Sequence, residues 1–437
     1  MSYPNHFHIG FALKVGRLPW LLFLFLTAVF FLGFHDLSYA KKEIGNYNMS
    51  QDEMVASVVE GSLGHRIALL SLGIVAIFSL IRHRTNRSLH IDGLLGWILL
   101  SFVVWAFISS LWAADSLLTL KRLVAFGILC IAALATVRRL SLREIILWIF
   151  FTTAVFLFIG FLAELLFGTF KPLASGFRFA GSLHPNAQGI NCGLLLLSGV
   201  AAAEVERRWR ALFWTCAFLG LVFLVLTGSR TALAAAVLAL VVHVAAASSR
   251  KSKIAMACSL SIASCFLLLF LGARSLPGLK SAIPLGRDDP YSLETFNGRT
   301  MVWEDVNYYI RQRPLLGYGY DGFWTPTHIS VISNEEKQGV SSCHSTYIEY
   351  LLSLGIVGLL SYTILLLAGI WRAFHRYRLS QSSVFAFCGA LLVFCALAGL
   401  LDSVVADQSI LMFLWMVVLA WLAFIDLSGK LVEFSGR

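Results

Sequence analysis

An arginine stands alone between two apolar runs in the stretch Leu226, Thr227, Gly228, Ser229, Arg230, Thr231 and Ala232. A single helix through both runs would measure about 55 Å at 1.5 Å per residue, too long for about 30 Å of hydrocarbon, so the chain must turn there. The turn sets Arg230 at the membrane surface. There a guanidinium either anchors a helix end by snorkelling or faces an anion, whose geometry its planar fork matches.

A second arginine opens the segment Arg178, Phe179, Ala180, Gly181, Ser182, Leu183, His184, Pro185, Asn186, just before another apolar run. Arg178 is a candidate anion contact, with His184 and Asn186 as accessory candidates, although Pro185 and Asn186 are also ordinary turn and cap residues. Arg299, in Asn297, Gly298, Arg299, sits near the start of a helix whose Val302, Trp303, Val306, Tyr309 and Ile310 recur at helical spacing. It is either a solvated cation or a third anion contact. The sharpest feature is Cys343, His344, Ser345, Thr346, Tyr347, Ile348, Glu349. Thr346 and Glu349 have capping-box spacing, which starts a helix after Thr346 and leaves His344 on the loop at its N-terminal end. A helix N-terminus disfavours an imidazolium, so His344 would be neutral and able to accept a proton; the alternative is a structural histidine bonded to its loop.

Among the acids, Asp402 and Asp407 follow one late apolar run, and Glu164 nears the end of another. Loop solvation accounts for all three, with Asp402 kept as an accessory candidate. No glycine-rich phosphate loop and no carboxylate pair with metal-ligand spacing is present, so neither a metal nor another cofactor is expected.

These residues are carried by a chain that is 58% hydrophobic and only 13% charged, with a mean hydropathy of +0.78. A soluble globule has about 25% charged residues. The apolar runs are helix-length and lack the alternation of an outer-membrane barrel, so the fold class is an all-α integral membrane protein. Seven basic clusters punctuate the runs: Lys14 with Arg17, Arg82 to Arg87, Arg138 to Arg143, Arg207 to Arg210, Arg250 to Lys253, Arg372 to Arg378, and Lys430 with Arg437. They hold 19 of the 34 Lys and Arg, so topology rather than nucleic-acid binding explains a net charge of +10. Short loops rich in Lys and Arg stay in the cytoplasm, which puts both termini inside and every candidate residue above on the outer face.

Reading spans between the clusters gives about 12 transmembrane helices, of which Ile254 to Ala273 is the ninth and Tyr347 to Trp371 the tenth. The chain is read as one polytopic domain, 1–437, with a large periplasmic loop subdomain, 274–345, between spans 9 and 10. That loop holds Trp303, Tyr308, Tyr309, Tyr318, Tyr320, Phe323 and Trp324, a composition for an ordered layer rather than a disordered linker. The eight cysteines fall almost entirely within apolar runs and read as small buried hydrophobes, with Cys343 alone facing outward. Leu37 to Ala40 faintly resembles a signal-peptide cleavage site, which would leave the later topology unchanged.

Taken together, four motifs resemble the O-antigen ligase and polymerase superfamily of lipopolysaccharide assembly. They are the Ser-Arg-Thr-Ala turn at Arg230, the Gly-Arg at Arg299 with the later run Pro314, Leu315, Leu316, Gly317, Tyr318, Gly319, the stretch from His344 through Leu351 and Leu352 to Gly355, and the segment Arg178 to Asn186. The resemblance covers Gly160 to Gly358. Many members have Asn after the His, where this chain has Ser345. It implies an O-antigen ligase, a glycosyltransferase at the outer face of the bacterial inner membrane. The donor would be an undecaprenyl pyrophosphate-linked glycan and the acceptor a lipid A-core oligosaccharide. By the same resemblance Arg230 and Arg299 would hold the pyrophosphate, Arg178 would be an accessory anion contact, and His344 would act at the acceptor hydroxyl.

The residue chemistry agrees. Pyrophosphate is already a leaving group, arginine forks can stabilise its growing charge without a metal, and a neutral histidine supplies a general base. Direct attack by the acceptor oxygen would invert the anomeric centre. An O-antigen polymerase would use the same donor and the same residues. A transporter or lipid flippase is the reading from another class, with Lys121 and Arg122 inside an apolar run in its favour unless they snorkel or bind lipid phosphate near its outer end, yet transporters place ionisable groups near the midplane of repeated halves and none is visible here.

Overall fold

A computed structural model of the chain describes residues 17–42, 50–59, 62–82, 89–91, 93–174, 176–247, 299–336 and 339–425. The described residues are helical, with no strand among them. In chain order the helices are α1 (Arg17–Phe34), α2 (Gln51–Val59), α3 (Leu63–Ile81), α4 (Gly93–Ile108), α5 (Ser116–Arg139), α6 (Leu142–Phe167), α7 (Pro185–Val205), α8 (Arg210–Leu226) and α9 (Arg230–Ala247). After a gap come α10 (Arg299–Gln312), α11 (Pro326–Glu336), α12 (Thr346–Ser380), α13 (Ser383–Ala398) and α14 (Ile410–Phe424). By length and composition seven of them can cross a membrane, and α1, α9, α13 and α14 are shorter apolar helices. The expected ninth span, Ile254 to Ala273, the loop segment 274–298, the basic clusters at Arg250 to Lys253 and at Lys430 with Arg437, Lys14, and the cluster Arg82 to Arg87 beyond Arg82 lie outside the described residues.

Local sequence explains where the helices begin. Ser141 and Glu144 close a capping box on α6, Asp115 accepts from Leu118 N at 2.9 Å on α5, and Ser409 accepts from Met412 N at 3.1 Å on α14. α7 and α14 are buried along nearly their whole length and form the middle of the bundle. Between helices in lipid there is little hydrophobic drive, so small residues that allow close backbone approach carry the packing. Gly199 of α7 meets Ala217 of α8, and Gly193 of α7 meets Phe394 and Ala236.

The loops sort to two ends. At one end Arg138 donates to Leu80 O at 3.1 Å, Arg139 to Ser79 O at 2.8 Å, Arg143 pairs with Glu206, and Arg376 donates to Ile425 O at 3.1 Å. Three of these cations meet the C-terminal ends of α3 and α14, where helix carbonyls lack intrahelical partners. At the other end Asp36 N donates to Ser182 O at 2.9 Å, Phe179 N to Leu226 O at 2.8 Å, and Thr346 N to Gly399 O at 2.8 Å. The described basic clusters therefore share one end, and the described candidate residues share the opposite one.

That opposite end carries a layer built from α10 and α11 with its own small core. Val302, Val306, Tyr318, Phe323, Trp324, Ile329 and Ile332 bury against one another, and Leu352 of α12 joins them. α12 itself breaks at Gly355, which has φ 67° and ψ −167°. The break frees backbone groups that lipid cannot satisfy, and the layer takes them. Ile356 N donates to Pro314 O at 2.9 Å, Tyr318 N to Leu352 O at 3.0 Å, and Trp105 Nε1 to Leu354 O at 3.2 Å. The run Pro314 to Gly319 is thus a plug that fits the helix break, and a Cβ on Gly355 would collide with the Leu315 carbonyl.

Gly355→Ala should therefore cost about 2–4 kcal/mol, because it adds both a strained φ and a backbone clash. Gly168→Ala, also at positive φ (69°) but with open space around it, should cost only about 1 kcal/mol. Thermal unfolding of the two purified variants measures the difference.

Candidate functional site

Glu164, in the last turn of α6, is buried and not solvated as its sequence context suggested. Its Oε1 accepts from Ala180 N at 2.8 Å and Gly181 N at 2.7 Å. Gly181 has φ +60° and lies against Gly160, so no side chain fits between the loop and α6. Pinned this way, the loop delivers Arg178 to the turn between α8 and α9. Arg178 Nε donates to Thr227 O at 2.9 Å and its Nη2 to Asn186 Oδ1 at 2.6 Å. Arg230 is the first residue of α9, three residues beyond Thr227, and is half-buried. His184 is the N-cap of α7, its Nδ1 accepting from Asn186 N at 3.3 Å. Two guanidinium groups thus belong to one turn.

His344 is held on the far side of the same end. The capping box expected from Thr346 and Glu349 does not form. Ser345 is the N-cap of α12 without a side-chain bond, and Thr346 Oγ1 donates to Asp402 O at 3.0 Å. The Glu349 carboxylate instead accepts from Cys343 N and from Trp324 Nε1 at 3.1 Å, while Trp303 Nε1 donates to Cys343 O at 2.8 Å. Cys343, expected to face outward, is fully buried by this arrangement. The next residue, His344, takes φ +49° and projects out of it. Its side chain is open to solvent. Ser342 Oγ lies 3.4 Å from Nδ1, and the tautomer that donates from Nδ1 leaves Nε2 with its lone pair.

Electrostatics fix the neighbours. Desolvation pulls the His344 pKa below its ordinary value; Asp402 opposes that shift and Arg299 reinforces it. Arg299 opens α10 and is buried, so desolvation also lowers its pKa, again with Asp402 opposing. His344, Arg299 and Asp402 therefore act on one another. Asp407, nearby, is pushed well above the usual carboxylate range by desolvation and by Glu349, Asp321 and Asp402. α13 links the two groups, since it packs along α9 and α12 and its C-cap Gly399 receives the Thr346 amide.

Sequence reasoning left Lys121 and Arg122 as possible lipid contacts or transport residues. Arg122 Nε in fact lies 3.2 Å from Asp321 Oδ2 and its guanidinium also donates to the Asp321 carbonyl, tying α5 to the aromatic layer. Two further polar residues escaped notice because they read as interruptions of an apolar helix. On α7, Gln188 is fully buried with neither amide atom partnered among the described residues, and Asn191 is 2% exposed with an unpartnered Nδ2.

Comparison with known proteins relates the stretch that carries three of these residues to a described family. Residues 215–363, which include Arg230, Arg299 and His344, match the family model described as O-antigen ligase. The chain is also 25% identical over 318 residues to the exopolysaccharide production protein ExoQ of Rhizobium meliloti (strain 1021), covering 68% of this chain and 70% of that protein.

A neutral His344 means that any activity depending on it should rise with pH and level off below the ordinary imidazole value of about 6.5. Asp402→Asn removes the carboxylate that raises the His344 pKa, so the acidic limb should move to still lower pH. Single-turnover rates across pH 4–8 for wild type and variant measure the shift; an acidic limb that moves upward contradicts the assignment.

Proposed function

We propose that this chain, similar over residues 215–363 to the O-antigen ligase family, is itself an O-antigen ligase, an inverting glycosyltransferase of polysaccharide assembly in the bacterial inner membrane. The donor is a glycan on undecaprenyl pyrophosphate, the acceptor is lipid A-core oligosaccharide, and the site opens to the periplasm. The observation that carries this reading is the grouping of His344 with Arg299 and Asp402 at the end of the bundle opposite the described basic clusters, with Arg178 and Arg230 on the neighbouring turn.

In this reading His344 Nε2 takes the proton of the acceptor hydroxyl as the oxygen attacks the anomeric carbon. The bond from that carbon to the pyrophosphate oxygen breaks, and its electron pair stays on the pyrophosphate. Arg230 and Arg299 hold the developing negative charge, with Arg178 beside Arg230. Bidentate guanidinium contacts suit a diphosphate and act most strongly in a site shielded from bulk water. Asp402 stabilises the imidazolium formed at His344. Membrane lipids surround the bundle, and the prenyl chain of the donor lies among them.

Similarity to a protein of exopolysaccharide production leaves a second reading beside the first, a polymerase that would transfer the same kind of glycan onto a lipid-linked acceptor. Purified protein offered the lipid-linked glycan with lipid A-core, and separately with lipid-linked glycan alone, separates the two. Glycan-capped lipid A-core supports ligation, and lengthened lipid-linked chains without it support polymerisation.

Under either reading Arg230→Ala and Arg299→Ala should nearly abolish transfer while leaving folded protein, and lysine at either position should restore only part. His344→Asn, which tolerates the positive φ, should lose about 100-fold or more in rate, the scale of a general base. Near-normal transfer by Arg230→Ala would return that residue to a helix anchor.

A further inference from the structure

A cavity of about 140 Å³ opens at the same end of the bundle. Phe30, Phe34 and His35 wall it from the end of α1, Ala187 and Asn191 from the first turns of α7, and Gln408 from the loop before α14. Its lining residues adjoin segments of both halves of the site described above along the chain. Leu183 and Ala187 flank the segment His184 to Asn186, which engages Arg178, and Val404 lies two residues beyond Asp402.

Size and chemistry narrow what it can take. The volume is close to the roughly 150 Å³ that accommodates one six-membered ring, and far below that of a prenyl chain or an oligosaccharide. An apolar cavity needs no polar group and stays dry, yet this one is lined by the side-chain amides of Asn191 and Gln408. A side-chain amide offers both a donor and an acceptor to a ligand in a cavity that is otherwise largely apolar. The aromatic wall is neutral. His35 Nδ1 is engaged by Ser182 Oγ at 2.7 Å, and burial pulls its pKa down to about 3. An apolar aromatic wall joined to an amide donor suits a pyranose, which presents C–H faces and hydroxyl oxygens together.

We propose that this cavity is the subsite for the sugar ring of the donor that is joined to the pyrophosphate, with the Asn191 side-chain amide bonded to one of its hydroxyls and Phe34 beside its apolar face. The inference rests on the glycosyl-transfer reading. That reaction needs the reacting sugar to lie next to the anion on one side and the attacking hydroxyl on the other, and the cavity borders the segments that carry Arg178 and Asp402.

The test uses the full chain in lipid nanodiscs and calorimetric binding of two kinds of probe, farnesyl pyrophosphate and farnesyl pyrophosphate bearing glucose, galactose or N-acetylglucosamine. Wild type should bind at least one sugar-bearing probe about 5-fold or more tightly than the bare one, the scale of one well-made hydrogen bond. Asn191→Leu, and independently Ala187→Leu, which fills the cavity from another wall, should erase that advantage and leave the bare probe unchanged. Arg230→Ala should weaken both kinds. Retention of the sugar advantage in both cavity variants, with the Arg230 dependence intact, overturns the subsite alone. Failure of wild type to bind any of the probes overturns the glycosyl-transfer reading and the subsite with it.

Discussion

The bilayer tolerates neither an unpaired charge nor an unsatisfied backbone group at its centre, and the placement of nearly every informative residue in this chain follows from that constraint. Basic residues collect at one end of the bundle, where Arg138 and Arg376 meet helix carbonyls. Several charges at the other end are held inside the protein. Glu164 receives two loop amides, Arg122 meets Asp321, and Glu349 accepts from Cys343 and Trp324. His344 and Arg299 share Asp402 as an electrostatic neighbour. The same rule governs the break at Gly355, whose freed backbone groups are taken by Pro314, Tyr318 and Trp105.

This arrangement gives the layer over the bundle a second role besides covering it. The indoles of Trp303 and Trp324 and the carboxylate of Glu349 fix the two residues on either side of the Cys343 peptide, and that fixes where His344 points. A general base needs its nitrogen within hydrogen-bond reach of one hydroxyl, and buried supports of this kind supply such precision. Across the site, Glu164 does the equivalent for Arg178 by clamping Ala180 and Gly181.

Much of this was legible in the sequence, and the reasons are local. Arg230 could be set at a turn because two apolar runs cannot form one helix within a bilayer, and the structure has α8 end at Leu226 and α9 begin at Arg230. The apolar run that follows the segment Arg178 to Asn186 proved to be the buried α7, which begins at Pro185. What could not be read were the long-range partners. Thr346 and Glu349 have capping spacing, but Asp402 and Cys343, brought in by the fold, win those side chains. Arg122 looked like a lipid-facing cation because its partner, Asp321, lies 199 residues away. Gln188 and Asn191 gave no signal, since two amides in an apolar run match no motif.

The central claim is that charge segregation across the membrane sets His344, Arg299 and Asp402 on the outer face, opposite Arg208. The most direct test is labelling of single-cysteine variants, in a background with the native cysteines replaced, by a membrane-impermeant maleimide applied to spheroplasts. Asp402→Cys should react in intact spheroplasts, and Arg208→Cys should react only after the membrane is opened. Labelling of position 208 from outside, with position 402 protected until lysis, would contradict the account.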